Sequence, residues 1–211
     1  MTLADLQAAG HTSASVQSLL YDGIDGYALA AAGRERRANF GENFTYGDVT
    51  MGSMLQMLEL TGAAAGETFY DLGAGTGKGV LYAALLSDFG RCVGIELVEE
   101  LHGASAEALE RYRARLLPAL PERKRAQAIE MLLADLLETD FSDADVVFSH
   151  CTCFPEELMA KIAGRCERLK SGSRVVTVSK ALPEAPHMTL SAVAPCQMAW
   201  GSASLYVYRR A

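Results

Sequence analysis

From Thr68 onward, short apolar runs alternate with stretches of helical periodicity, and the last two runs follow each other with no helix between them. Strands separated by helices pair in parallel, with both faces of the sheet covered. Two strands with no helix between them pair antiparallel. TFYDL (68–72), CVGIEL (92–97), AIEMLL (128–133), DVVFSH (145–150) and SRVVTVSK (173–180) read as the parallel strands. MTLSAV (188–193) and SLYVYRR (204–210) read as the closing pair. Helices are expected through VLYAALL after the first strand, from Glu99 to Leu117 with Pro118 and Pro121 ending it, and from Pro155 to near Gly172.

Residues 1–67 differ, because glycines and polar residues break each helical pattern. They are expected to form one or two small helices and then a long loop against the carboxyl end of the sheet. No repeat or domain boundary is visible, so 1–211 reads as one domain: an arm and closing loop (1–67) and a core (68–211). Half of the 211 residues are apolar, enough for a core without disulfides or metal staples. A net charge of −7 argues against a nucleic-acid binder and favours a basic partner, such as a Lys/Arg-rich protein tail. Five cysteines, no signal peptide and no apolar run of membrane-spanning length point to a soluble protein of the cytoplasm or nucleus. The oligomeric state is not legible.

Asp71-Leu72-Gly73-Ala74-Gly75-Thr76-Gly77-Lys78-Gly79 follows a strand and opens a helix. A dinucleotide loop needs G-x-G-x-x-G, and Lys78 stands at its last position. A phosphate loop needs G-x-x-x-x-G-K-[ST], and Leu72 and Gly79 break it at both ends. The pattern acidic-x-G-x-G-x-G is filled by Asp71, Gly73, Gly75 and Gly77, which points to S-adenosylmethionine, a ligand with an amino group and no phosphate. Glu96 ends the second strand, where it would accept from both ribose hydroxyls, and Asp135 follows the third, where it would accept from the adenine amino group. The sheet itself resembles the doubly wound, Rossmann-like seven-stranded methyltransferase architecture with a C-terminal antiparallel hairpin.

TYGDVT (45–50), YDLGAGTGKG (70–79) and VGIELVEEL (93–101) together resemble the Dot family of lysine methyltransferases, named for disruption of telomeric silencing. FSHCTCF (148–154), LKSGSRVVTVSK (169–180) and MAW…LYVY (198–208) follow in the family's order, so the resemblance covers about residues 43–208. It implies that Tyr46, Asp48 and Thr50 sit at the methionine end of the cofactor. Asp71, Gly73, Gly75 and Lys78 would line the glycine loop, Glu96 would hold the ribose, and Asp135 with Leu136 the adenine. The family's glutamate is Asp48 here, its glutamine is Lys78, and its Asn-Asn pair beside the transferring methyl is His150-Cys151. Trp200 and Tyr206 resemble the aromatic wall of the lysine channel.

The resemblance implies a protein-lysine methyltransferase, histone in particular, acting on a basic protein. No general base is obligatory, because a dry aromatic channel disfavours the ammonium form of lysine. His150 has two readings: a group that bonds the incoming amine, or one that satisfies a neighbouring backbone group. Trp200 likewise reads as channel wall or core aromatic. Cys151 and Cys153, one residue apart with no second pair, read as small buried side chains rather than zinc ligands. Two alternatives stay open: a methyltransferase for a small molecule or another nucleophile, and a catalytically silent cofactor-binding protein.

Overall fold

The computed structural model of the chain describes residues 3–36 and 46–211. Thr45, which opens the first family segment, lies outside them. Five strands run parallel: β1 (Thr68–Leu72), β2 (Arg91–Glu96), β3 (Ala128–Leu133), β4 (Val146–Ser149) and β5 (Arg174–Val178). Two antiparallel strands close the sheet, β6 (Met188–Met198) and β7 (Gly201–Arg210). The order β3-β2-β1-β4-β5-β7-β6 reverses direction between β1 and β4, so a crevice opens at the carboxyl ends of the strands. The helices are α1 (Leu3–Ala8), α2 (Ser13–Tyr21), α3 (Gly26–Arg36), α4 (Met51–Thr61), α5 (Lys78–Leu86), α6 (Glu99–Arg111), α7 (Glu122–Arg125) and α8 (Glu156–Cys166). None of the described helices is long and apolar enough to cross a membrane.

Alternation along the strands splits the core in two. Phe69, Cys92, Val146, Phe148, Val176 and Val207 face α2, α4, α5 and α6. Tyr70, Leu72, Val93, Ile95, Val147 and Val175 face α8 through Met159, Ile162, Ala163 and Cys166. Asp71 lies between Tyr70 and Leu72, so the pleat turns its carboxylate toward the α5 face.

The structure departs from the sequence reading in three places. Residues 51–61, expected as loop, form α4: the Thr50 side chain accepts from Ser53 N–H, Gly62 ends the helix in a left-handed conformation, and Met51, Met54, Met57 and Leu58 share its buried face. The N-terminal region is therefore a set of packed helices rather than an arm and a loop, with α3 lying along α6 and Gly33 against Val98. The helix from Glu99 ends at Arg111 and continues as a π turn (Tyr112–Leu116) and a 3-10 turn (Leu117–Ala119). Pro118 lacks the N–H that a regular helix would need there and crowds the preceding turn. The closing strands run to Met198 and from Gly201, which leaves only Ala199 and Trp200 at the tip. Pro195 is tolerated because β6 is the edge strand.

One fully buried cation holds the far end of α5. Lys124 Nζ donates to Ala84 O (2.8 Å) and to Ser87 O, and pairs with Asp88 Oδ1 at 2.9 Å. It neutralises the last carbonyls of the helix, where a positive charge is favoured. Burial alone would raise the Asp88 carboxyl, but the bond and charge from Lys124 win and lower it to about 2. Lys124→Met is expected to lower the unfolding free energy by about 3 kcal/mol in urea titration at pH 7. The loss is expected to shrink below pH 4, as Asp88 becomes protonated in both states.

Candidate functional site

The glycine loop crosses from β1 to α5 by hooking onto β2. Gly73 N–H and Ala74 N–H both donate to Ile95 O, at 2.9 and 3.0 Å. Gly73, Gly75 and Gly77 all have positive φ (82°, 57° and 80°), a conformation in which any Cβ is strained. Glu96 then clamps the loop from the end of β2. Its Oε2 accepts from Gly75 N–H (2.7 Å) and its Oε1 from Val98 N–H (2.8 Å). Burial raises the Glu96 carboxyl above its ordinary value, and those backbone donors oppose the shift.

A cavity of about 350 Å³ opens over this loop, within the usual range for small-ligand sites. It is lined by nine of the ten residues assigned to the cofactor from sequence: Tyr46, Asp48, Asp71, Gly73, Gly75, Lys78, Glu96, Asp135 and Leu136. Asp135 accepts from Leu137 N–H on Oδ1 (2.7 Å), which fixes the turn after β3 and leaves Oδ2 for a ligand. Thr50 is the exception. Its hydroxyl caps α4 and donates to Gln197 O (2.9 Å), so it clamps the hairpin and does not line the cavity. Sequence reasoning missed Val98, Leu101, Phe154 and Leu158, which supply apolar wall. Their only signal was their position just beyond β2 and β4.

Two groups show that the residues fit S-adenosylmethionine. Asp71 is 3% exposed and its Oδ1 has no hydrogen-bond partner, a costly state for a carboxyl. Burial, with the Glu96 charge second, pushes it up to about 8. A methyl at Gly79 would collide with its Oδ2, so only glycine leaves Asp71 this position. An orphaned carboxyl of this kind suits an ammonium group, and the unshared lone pairs of Glu96 suit a diol. At the opposite wall Tyr46 donates to Asp48 Oδ1 and bonds Thr76 Oγ1 (2.6 Å), while Lys78 Nζ pairs with Asp48 Oδ2.

A second cavity of about 240 Å³ adjoins the first and shares Tyr46, Gly47 and His150 with it. Tyr27, Thr152, Cys153 and Trp200 complete its walls. Tyr27 meets Tyr46 edge-on at 5.2 Å, and Trp200 meets His150 edge-on at 5.9 Å. Gly47 is required beneath them, since a Cβ there would lie 2.6 Å from His150 Cε1 and 3.0 Å from Trp200 Nε1. Burial lowers the His150 pKa, so the ring is neutral at pH 7. Trp200 Nε1–H donates to His150 Nε2 (3.2 Å), which assigns the ring proton to Nδ1.

Tyr206, assigned to this wall from sequence, is not in it. It pairs with Thr177 of β5 and packs into the α8-side core, and lines neither cavity. The pleat explains this: Leu205 and Val207 face the α5 side, so Tyr206 faces the other. Cys151 is buried, with Sγ donating to Val178 O at 3.3 Å. Among the described residues no three side chains form a candidate metal cluster.

Two solved structures share this architecture. An RNA methyltransferase from Salinibacter ruber, in complex with S-adenosyl-L-homocysteine, superposes with a TM-score of 0.57 at 22% identity, covering 75% of this chain and 90% of its own. The magnesium protoporphyrin IX methyltransferase of Synechocystis, with S-adenosylmethionine bound, gives 0.57 at 12% identity, covering 89% and 98%. Both likenesses are of fold. In sequence, a Dictyostelium discoideum protein named as a histone-lysine N-methyltransferase, H3 lysine-79 specific, is 33% identical over 121 residues, 56% of this chain. This chain spans only 6% of that protein's length. The family described as histone methylation protein DOT1 matches residues 34–195, most of the chain, and the protein belongs to that family.

Proposed function

We propose that the protein is an S-adenosylmethionine-dependent methyltransferase whose acceptor is a protein lysine, presented by a basic protein such as a histone. The observation that carries this reading is the pair of adjoining cavities. One has a clamped carboxylate and an orphaned carboxyl, and the other is walled by Tyr27, Tyr46, His150 and Trp200. The aromatic walls favour an amine acceptor over a small molecule needing open space above Gly75. The family membership, the named activity of the Dictyostelium relative and the net charge of −7 support a histone-like substrate.

When bound, the cofactor supplies a methyl group on a positively charged sulfur. The chain's own residues supply position and apolar walls. Glu96 and Asp135 fix the nucleoside half, and Asp71 offers its carboxylate to the ammonium. The Tyr46 phenol is held far above its usual pKa by burial and by Asp48, so it stays a neutral donor. Apolar walls disfavour a charged amine, which lowers the acceptor's pKa toward neutrality. His150 takes hydrogen bonds from the acceptor only when Trp200 releases its Nε2.

Calorimetric titration with S-adenosylhomocysteine is expected to show micromolar binding, weakened ~10-fold or more by Glu96→Gln, whose amide cannot accept from both backbone N–H groups. Binding indifferent to Glu96 would overturn the site. Labelled methyl transfer to histones and to a mixed basic protein extract then tests the acceptor; firm cofactor binding with no transfer would instead mark a silent binder. His150→Ala is expected to cut turnover ~100-fold, far more than it weakens S-adenosylhomocysteine, whose cavity His150 also lines.

Asp71 gives a test in stability. The folded chain keeps a proton that the unfolded chain releases from about pH 4 upward, so folding loses stability between pH 4 and 8. Asp71→Asn removes that loss. In urea titrations the variant is expected to match the wild type near pH 4, to gain as pH rises, and to level off above about pH 8. It is expected to bind S-adenosylhomocysteine more weakly throughout.

A further inference from the structure

Among the described residues, Ser179 is the one other than glycine with a positive φ, 67°. A side chain is strained in that conformation, and the strain persists only where the surroundings hold it. Here they do. Ser179 N–H donates to Ser204 O of β7 (2.8 Å), its hydroxyl accepts from Thr152 Oγ1 (3.1 Å), and Thr177 Oγ1 donates to Lys180 O to close the turn. The residues on either side grip the same loop after β4, Val178 O through Cys151 Sγ and Lys180 Nζ through Phe154 O. The turn after β5 therefore stands between two walls of the outer cavity. Thr152 follows His150 closely in one wall, and Ser204 follows Trp200 closely in the other. The two walls meet where Trp200 Nε1–H donates to His150 Nε2.

We propose that Ser179 is a positioning residue for the acceptor cavity. Its backbone is anchored on β7, and its hydroxyl draws the loop after β4 toward the hairpin, so that His150 stands within reach of the Trp200 indole. The left-handed backbone is what lets one residue serve both walls. Ser179 lines neither cavity, so it acts through Thr152, which lines the outer one. A hydrogen bond suits this task, because it fixes distance and direction where an apolar contact would let the loop slide. The role in catalysis rests on the acceptor reading above.

Ser179→Gly keeps the left-handed backbone and removes the hydroxyl, Thr152→Val removes its partner at nearly equal volume, and Thr152→Ser retains the bond. Trp200 is the single tryptophan of the chain, so its emission reports the contact with His150 without any acceptor present. Ser179→Gly and Thr152→Val are each expected to move that emission to longer wavelength and to cut labelled methyl transfer to basic proteins ~10-fold, with S-adenosylhomocysteine weakened far less. The double variant is expected to fall within about twofold of either single one, because both changes break one bond. Thr152→Ser is expected to restore emission and transfer. Thermal melts check folding, and where Ser179→Gly does not fold, the two Thr152 variants decide by emission. Losses that multiply to ~100-fold in the double variant, or emission unmoved in both single ones, would overturn the proposal. A wild type that transfers methyl to no basic protein would instead overturn the acceptor reading, and the emission comparison would still decide whether Ser179 positions His150.

Discussion

The carboxylate of Glu96 joins two parts of the chain that the sheet only brings near each other. Through one oxygen it holds Gly75 in the loop after β1, and through the other it holds Val98 at the start of α6. Both bonds lie at the carboxyl ends of β1 and β2, beside the crevice, where backbone N–H groups have no strand partner and would otherwise be left bare. The cost of burying that charge is offset by satisfying two orphaned donors. The position of Gly75 and the start of α6, which frame the mouth of the cavity, follow from that clamp.

A second set of bonds brings distant sequence to the same mouth. Thr50 and Ser53 donate to Gln197 O, Gln56 Nε2 to Pro195 O, and Ala199 N–H to Asp48 O. The tip of the β6–β7 hairpin is thus pinned to the start of α4 and to the extended segment before it. Trp200 projects from that tip over His150, which stands at the end of β4. The aromatic wall is built by tertiary contacts between four parts of the chain, α3 contributing Tyr27.

This difference in origin sets what could be read in advance. The parallel strands and the glycine loop were legible because each is written in local pattern: apolar runs, a carboxylate, alternating glycines. AIEMLL maps onto β3 residue for residue. Helix α4 carries local signals of its own, a Thr50 cap, a Gly62 stop and methionines at helical spacing, but the glycines and polar residues that break the pattern across 1–67 point the other way. Thr50 and Tyr206 could not be placed from pattern alone. The hydroxyl of Thr50 was claimed by a hairpin 147 residues away, and the face taken by Tyr206 depends on a register set by β5. The Lys78–Asp48 pair needed three dimensions, since each residue alone looks like a mild departure.

The two cavities divide their walls unevenly. Tyr46, Gly47 and His150 belong to both, whereas Tyr27, Thr152, Cys153 and Trp200 belong to the outer one alone. A change at any shared position alters the grip on the donor as well as the fit of the acceptor, so such changes are constrained twice. The four outer positions carry no such double duty. Over evolutionary time, new acceptors are to be won at those four, with the machinery for the donor left as it is.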